Sequence, residues 1–357
     1  MILPVVCAIS FLFAGLILQA ASTHAASSTT RYRVVELGTL EQAESGMVYG
    51  PNTRGEVVGG TVGFGFGSRA FLLSPEQLDN LHGLPGSDWS MSRGINEPGT
   101  VVGSSNSANA IRAFYWTRAG GIRDLGALPG DSGSEAFGIN LHNEVVGYSS
   151  GPRGIEAVVW NSDGKIQGLG RLRDGDYSRG YSLNERGEVV GSSGSSGSPR
   201  GARAFLWTRN LGMEDLGTLT DDTNSEAFAI NSRAEVVGYS SGRFGTRAFL
   251  WTRSRGMESL GTLPGAAYSR AFAINDRGEV VGTSGSSLGA RAFLWTRSRG
   301  MEDLNKLIPA GNDFVLLEAL GVNDLGTILA IGRDDDGHGN GGHHHHEFST
   351  RVFLLIP

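Results

Sequence analysis

The heptapeptide RAFLWTR occurs three times unchanged, at Arg203–Arg209, Arg247–Arg253 and Arg291–Arg297, with successive copies starting 44 residues apart. A fixed internal period means that one supersecondary unit is repeated, and this constrains the fold before any single motif does. Four landmarks carry the period along the chain. An apolar stretch ends on Asn52, Asn96, Asn140, Asn184, Asn231, Asn275 and Asn323, at intervals of 44, 44, 44, 47, 44 and 48 residues. EVVG or a relative follows each Asn, from Glu56 to the degraded TILA at Thr327. RAFLW and its variants run from Arg69 to Arg351, and DLGTL and its variants from Glu36 to Asp303. Each landmark appears seven times.

All four landmarks read as short strands, because they are β-branched or aromatic and turn residues flank them. Asn-x-x-Gly links the first two, as in Asn275 to Gly278. The Asn side chain can bond its own backbone there, and Gly accepts the left-handed conformation that ends the hairpin. Asn143 and Ala234 take the Gly position in two copies, and Ala234 is the costlier departure. No segment shows helical periodicity. Four antiparallel strands in a unit of roughly 40–45 residues is the pattern of a propeller blade. The expected fold is therefore all-β, a seven-bladed propeller over residues 31–357. RYRVVELG is a fourth-type strand with no unit before it, and RVFLLIP is a third-type strand with no fourth after it. The N-terminal strand is thus expected to complete the last blade and leave no open edge.

The Asn-ended strand suits the innermost position, which has the least room. Two residues before each Asn stand Gly50, Gly94, Gly138, Ser182, Ala229, Ala273 and Gly321. Three residues before stand Tyr49, Arg93, Phe137, Tyr181, Phe228, Phe272 and Leu320. Strict alternation predicts a flat face and a bulky face, the bulky one pressing on the flat face of the next blade. Phe71, Phe114, Phe205, Phe249, Phe293 and Phe353 repeat one packing position in the third strand, with Val158 as the exception.

Residues 1–26 differ from the rest. Ile2 to Leu18 is almost wholly apolar, small residues follow, and no charge appears before Arg31. This reads as a signal peptide cleaved near Ala25 or Ala26, with an uncleaved membrane anchor as the alternative. No Lys or Arg precedes the apolar run. The only cysteine, Cys7, lies inside this segment, so the mature chain has no disulfide and no reactive thiol. Net charge is −6 and the basic residues are dispersed, which argues against nucleic acid as a partner.

The pattern DLGTLPG, SRAFAINDRGEVVGTS, RAFLWT and GMEDL resembles the HAF repeat family of predicted extracellular proteins, and the likeness covers nearly everything after residue 31. The resemblance implies export and a propeller-like fold, and implies no enzyme activity. The family commonly has His as the first letter of its name-giving tripeptide. Arg112, Arg203, Arg247 and Arg291 stand there instead, so a ligand role for that His does not carry over.

Function is expected in the long, variable connections, which share one face of the scaffold. Asp88, Trp89, Asp174, Asp176, Tyr177, Asp221, Asp222, Tyr268 and Arg270 are the candidate ligand-binding residues on that face. Acidic and aromatic side chains near a channel mouth suit a glycan or a protein partner. Five residues before each Asn stand Met47, Met91, Glu135, Arg179, Glu226, Arg270 and Glu318. Acid and base alternate in the last five copies, which predicts ion pairs between neighbouring blades, or a charged gate around a ligand. The segment RDDDGHGNGGHHHHEFST carries His338, His343, His344, His345 and His346. These imidazoles suit adventitious capture of Zn or Ni, but their spacing is not that of a structural or catalytic site, and no cofactor is required. No G-x-S-x-G elbow, HExxH helix or sialidase Asp-box is present. The expectation is a monomeric, secreted or periplasmic binding or scaffold module, which meets a membrane only if its N-terminal segment is uncleaved. The alternative is a secreted hydrolase or lyase acting on polysaccharide through Asp174, Asp176, Asp221 and Asp222.

Overall fold

A computed structural model describes residues 30–40, 47–63, 66–74, 77–107, 110–173, 175–195, 201–335 and 350–357. The signal or anchor expected over residues 1–26 lies outside the described residues. The regular secondary structure of the described residues is strand, apart from one 3-10 turn at Leu304–Lys306.

Each repeat unit folds as sequence-adjacent antiparallel strands. The first strands are Met47–Tyr49, Ser90–Ile95, Gly133–Ile139, Tyr177–Leu183, Asp222–Ile230, Tyr268–Ile274 and Phe314–Val322. Five four-stranded sheets form, together with one eight-stranded sheet. The eight-stranded sheet holds units three and four, which share one parallel bridge at Ile155 and Tyr177. In the seventh unit the fourth place is taken by Arg33–Leu40, which pairs antiparallel with Thr350–Ile356. Arg351 fixes this pairing by donating to both carboxylate oxygens of Glu36, at 2.9 and 2.7 Å, and holds the Glu36 carboxyl below its usual range. Just upstream, Arg31 pairs with Glu302 at 2.9 Å.

The first strands of neighbouring units touch one another, so they form the inner layer. Their ends are tied by the landmark asparagines. Each Asn side-chain oxygen accepts one or two backbone N–H groups of its own turn, as Asn231 does from Arg233 and Glu235, both at 3.0 Å. Each amide nitrogen then donates to the backbone carbonyl of the next Asn along the chain. The donations run from Asn52 through Asn96, Asn140, Asn184, Asn231, Asn275 and Asn323 and return to Asn52, at 2.9–3.3 Å. All seven asparagines are buried. A buried amide would be costly without partners, and this arrangement gives each one partners from its own turn and its neighbour.

Serines make a second tie between units. The N–H groups of Ala70, Ala113, Ala157, Ala204 and Ala248 donate to Ser90, Ser134, Ser178, Ser225 and Ser269 of the following unit, at 2.8–3.0 Å. The alanines belong to the third-strand landmark, so part of that string is spelled by what it bonds across the interface. Phe114, Phe205, Phe249, Phe293 and Phe353 are fully buried and Phe71 nearly so, as the repeated packing position requires. Val158 at the exceptional position is also buried.

The inner strands depart from strict alternation. The register slips between Ser92 and Gly94, and likewise at Ala136/Gly138, Gly180/Ser182, Ala227/Ala229, Ala271/Ala273 and Ala319/Gly321. The unpaired extra residue is Arg93, Phe137, Tyr181, Phe228, Phe272 or Leu320. A β-bulge re-aims the side chain it carries. From Arg93 to Phe272 these side chains meet one another, whereas Leu320 packs against the cluster that holds Val48 and Val57 of the first unit. Phe137 lies 5.6 Å from Tyr181, Tyr181 5.8 Å from Phe228, and Phe228 6.0 Å from Phe272. Gly94 lies against backbone instead: a Cβ there would stand 2.9 Å from the Phe137 carbonyl oxygen. The expected bulky-on-flat packing of inner strands is thereby corrected for Arg93, Phe137, Tyr181, Phe228 and Phe272.

Candidate functional site

The long connections enter the inner strands at their N-terminal ends, so the residues five before each Asn lie at that end. In the first six units their backbone packs against the glycine of EVVG, where a side chain at Gly238 would overlap the Glu226 carbonyl; Ala330 takes that place in the seventh unit. The bulged residues stand one turn of the pleat deeper. Together the two sets form a half-buried band of carboxylates, guanidiniums and aromatic rings.

Glu135 faces Tyr148 across the strand pair and accepts from its hydroxyl. It also accepts from Arg93 at 2.5 Å and Ser104 at 3.0 Å, both on the preceding unit. Glu226 repeats the arrangement two units on. It accepts from Tyr239 at 2.7 Å and from Tyr181 of the preceding unit at 3.3 Å. Burial, followed by the bonded carboxylate, raises the Tyr148 and Tyr239 phenols well above their ordinary value, so both stay protonated donors.

The bases of the alternating set do not pair with these acids. Among the described residues, no ion pair within 4.0 Å links Glu135, Arg179, Glu226, Arg270 and Glu318 to one another, which corrects the expected inter-unit ion-pair ring. The guanidinium carbon of Arg179 lies 5.5 Å from the Tyr148 ring centre and 5.7 Å from that of Tyr177. Arg270 lies 5.2 Å from the Tyr239 ring centre. The tyrosines divide the charges, giving their hydroxyls to acids and their faces to bases. Arg93 is the base that does pair with an acid of the band, and it comes from the bulge position.

Of the loop residues singled out in the sequence, Tyr177 and Arg270 join this band. The others are engaged in their own loops. Asp88 accepts from Asn106, whose side-chain oxygen takes the N–H groups of Asp88 and Trp89 at 3.2 and 2.9 Å. Asp222 accepts from Ser240 at 2.6 Å. Asp221 has a left-handed backbone and sits 3.7 Å from Arg243, which stacks on Phe244. Asp176 is exposed and accepts from Ser195 at 3.3 Å. The Tyr268 hydroxyl is 2.9 Å from where a Cβ on Gly285 would stand. Asp174, His338, His343, His344, His345 and His346 lie outside the described residues. Among the described residues, no group of three or more His, Cys, Asp or Glu side chains is placed to hold a metal ion. A separate groove of about 1040 Å³ lies between Leu263–Ala266, Leu288, Arg291, Met301–Asp303 and Asn305–Ile308, and none of the candidate loop residues lines it.

No protein-family model and no curated protein matches the chain. Solved structures do. Virginiamycin B lyase from Staphylococcus aureus superposes with a TM-score of 0.56 at 12% identity, over 92% of this chain and 100% of that one. The β-propeller domain of the Trilobed protease from Pyrococcus furiosus gives 0.54 at 8% identity, over 88% and 94%. An oligogalacturonate lyase solved with manganese gives 0.50 at 10% identity, over 92% and 98%. The fold is therefore all-β and propeller-like, and identities this low carry no chemistry across.

Proposed function

We propose that the chain is an exported seven-bladed propeller of the HAF repeat type that binds a glycan at the channel mouth on its long-loop face. The asparagine circuit supports seven blades in a ring, since its donations return to their start. The pairing of Arg33–Leu40 with Thr350–Ile356 supports closure of the last blade by the N-terminal strand. The band at the inner strands carries the functional reading. Sugar rings offer an apolar face and a rim of hydroxyl groups, and the band interleaves aromatic rings with guanidiniums and carboxylates. Arg270 is exposed there and is held by a ring face instead of a carboxylate, which leaves its donors available to a ligand.

A glycan array probed with the chain from residue 31 onward tests this. The expected result is binding to a defined set of glycans, and loss of about tenfold in affinity or more for Arg270→Ala at unchanged melting temperature. An array without a hit removes the glycan from the reading.

A further inference from the structure

Three carboxylates occupy the same position in alternate units, and they are not treated alike. Glu135 has three side-chain donors and Glu226 has two. Each donor comes from one of three places: the residue opposite on the second strand, the bulge of the preceding unit, and the hydroxyl residue on the preceding unit's second strand. Glu318 meets a different residue at every one of them. Opposite it stands Ile331 where the others have tyrosine. The preceding bulge is Phe272, where Glu135 has Arg93 and Glu226 has Tyr181. Thr283 has the hydroxyl, but donates it to the Leu317 carbonyl at 3.0 Å. Among the described residues no donor reaches the Glu318 carboxylate, and Arg270 acts on it only through its charge.

A half-buried carboxylate without donors is an expensive arrangement. Burial pushes the Glu318 carboxyl above the usual range, with Arg270 opposing the shift in part. Repeat proteins place chemistry where the copies differ, and this is the sharpest difference on the inner strands. The neighbours complete a site with three kinds of surface: an acceptor in Glu318, donors in Arg270, and an apolar ring in Phe272.

We propose that Glu318 is the carboxylate through which the channel mouth holds its ligand, accepting a hydrogen bond from a sugar hydroxyl while Arg270 donates to a second oxygen of the same sugar. This rests on the glycan reading above and assigns that site its anchoring residue. A ligand hydroxyl supplies the donor that Tyr148 and Tyr239 supply to the other two glutamates.

Two measurements test it. Folded protein is coupled to glycine ethyl ester with a carbodiimide at mildly acidic pH, and labelled carboxyls are located by peptide mass spectrometry. Glu318 is expected to react well ahead of Glu135 and Glu226; reaction no faster than theirs overturns the proposal. Glycans bound by the wild-type chain on the array are then titrated against Glu318→Ala. A loss of about tenfold or more is expected, with a melting temperature at neutral pH no lower than wild type, which separates a lost contact from a lost fold. Wild-type affinity in Glu318→Ala removes Glu318 from the site and leaves the glycan reading standing. Absence of any bound glycan overturns the sugar assignment here together with that reading.

Discussion

Ala234 and Glu318 show what single residues contribute in a molecule built from copies. Ala234 occupies the Gly place of the first turn with φ 57°, a region that disfavours any residue with a Cβ. Ala234→Gly is expected to raise stability by roughly 1 kcal/mol in urea unfolding, the strain relieved outweighing the added freedom of the unfolded chain. Glu318 has a pH signature. Its folded carboxyl binds a proton more readily than the unfolded one, so its contribution to stability falls as pH rises from the ordinary carboxylate range of about 4.3 through the raised value. Glu318→Gln should therefore be more stable than wild type near pH 8, and the advantage should vanish below about pH 4. Urea midpoints at the two pH values check the sign. The sequence exposes Ala234 at once, because one letter breaks a repeated turn. It exposes Glu318 only as one member of an alternating series, since the donors that distinguish it come from other strands.

At the scale of strands, the repeat spells out the packing positions legibly. The buried phenylalanine of the third strand is visible as a column of letters, and Phe249→Ala is expected to cost about 3–5 kcal/mol by chemical denaturation. The bulge was not legible. Alternation assigns Phe137 and Gly138 to opposite faces, and nothing in AFGIN says that one residue slips out of register. That slip turns Arg93 and Tyr181 toward the glutamates of the next unit, so the hydrogen-bonding pattern of the band depends on a feature with no distinctive sequence. The loop aspartates are ambiguous in sequence for a related reason. Asp88 and Asp222 are acidic because their loops need acceptors for Asn106 and Ser240. A residue that shapes a loop and one that meets a ligand look the same in sequence.

For the molecule as a whole, the asparagine circuit links every unit to the next. Asn231→Ala would leave two N–H groups of its own turn without an acceptor and break the tie to the Asn275 carbonyl, which keeps only the Gly278 N–H, and a loss of about 3 kcal/mol is expected from thermal or urea unfolding. Removal of residues 31–40 would leave Thr350–Ile356 as a bare hydrophobic edge; self-association in size-exclusion chromatography is the expected outcome. The pairing of Arg33–Leu40 with Thr350–Ile356 also orders events in time. Synthesis proceeds from the first of these strands toward the second, so the earliest strand has no partner until the last has been made. The middle units join strands close in sequence and have little loop-closure cost to overcome, whereas Glu36 and Arg351 meet across 315 positions. The sheet of the seventh unit is thus the last to assemble, and a nascent chain halted anywhere before Thr350 carries its N-terminal strand unpaired.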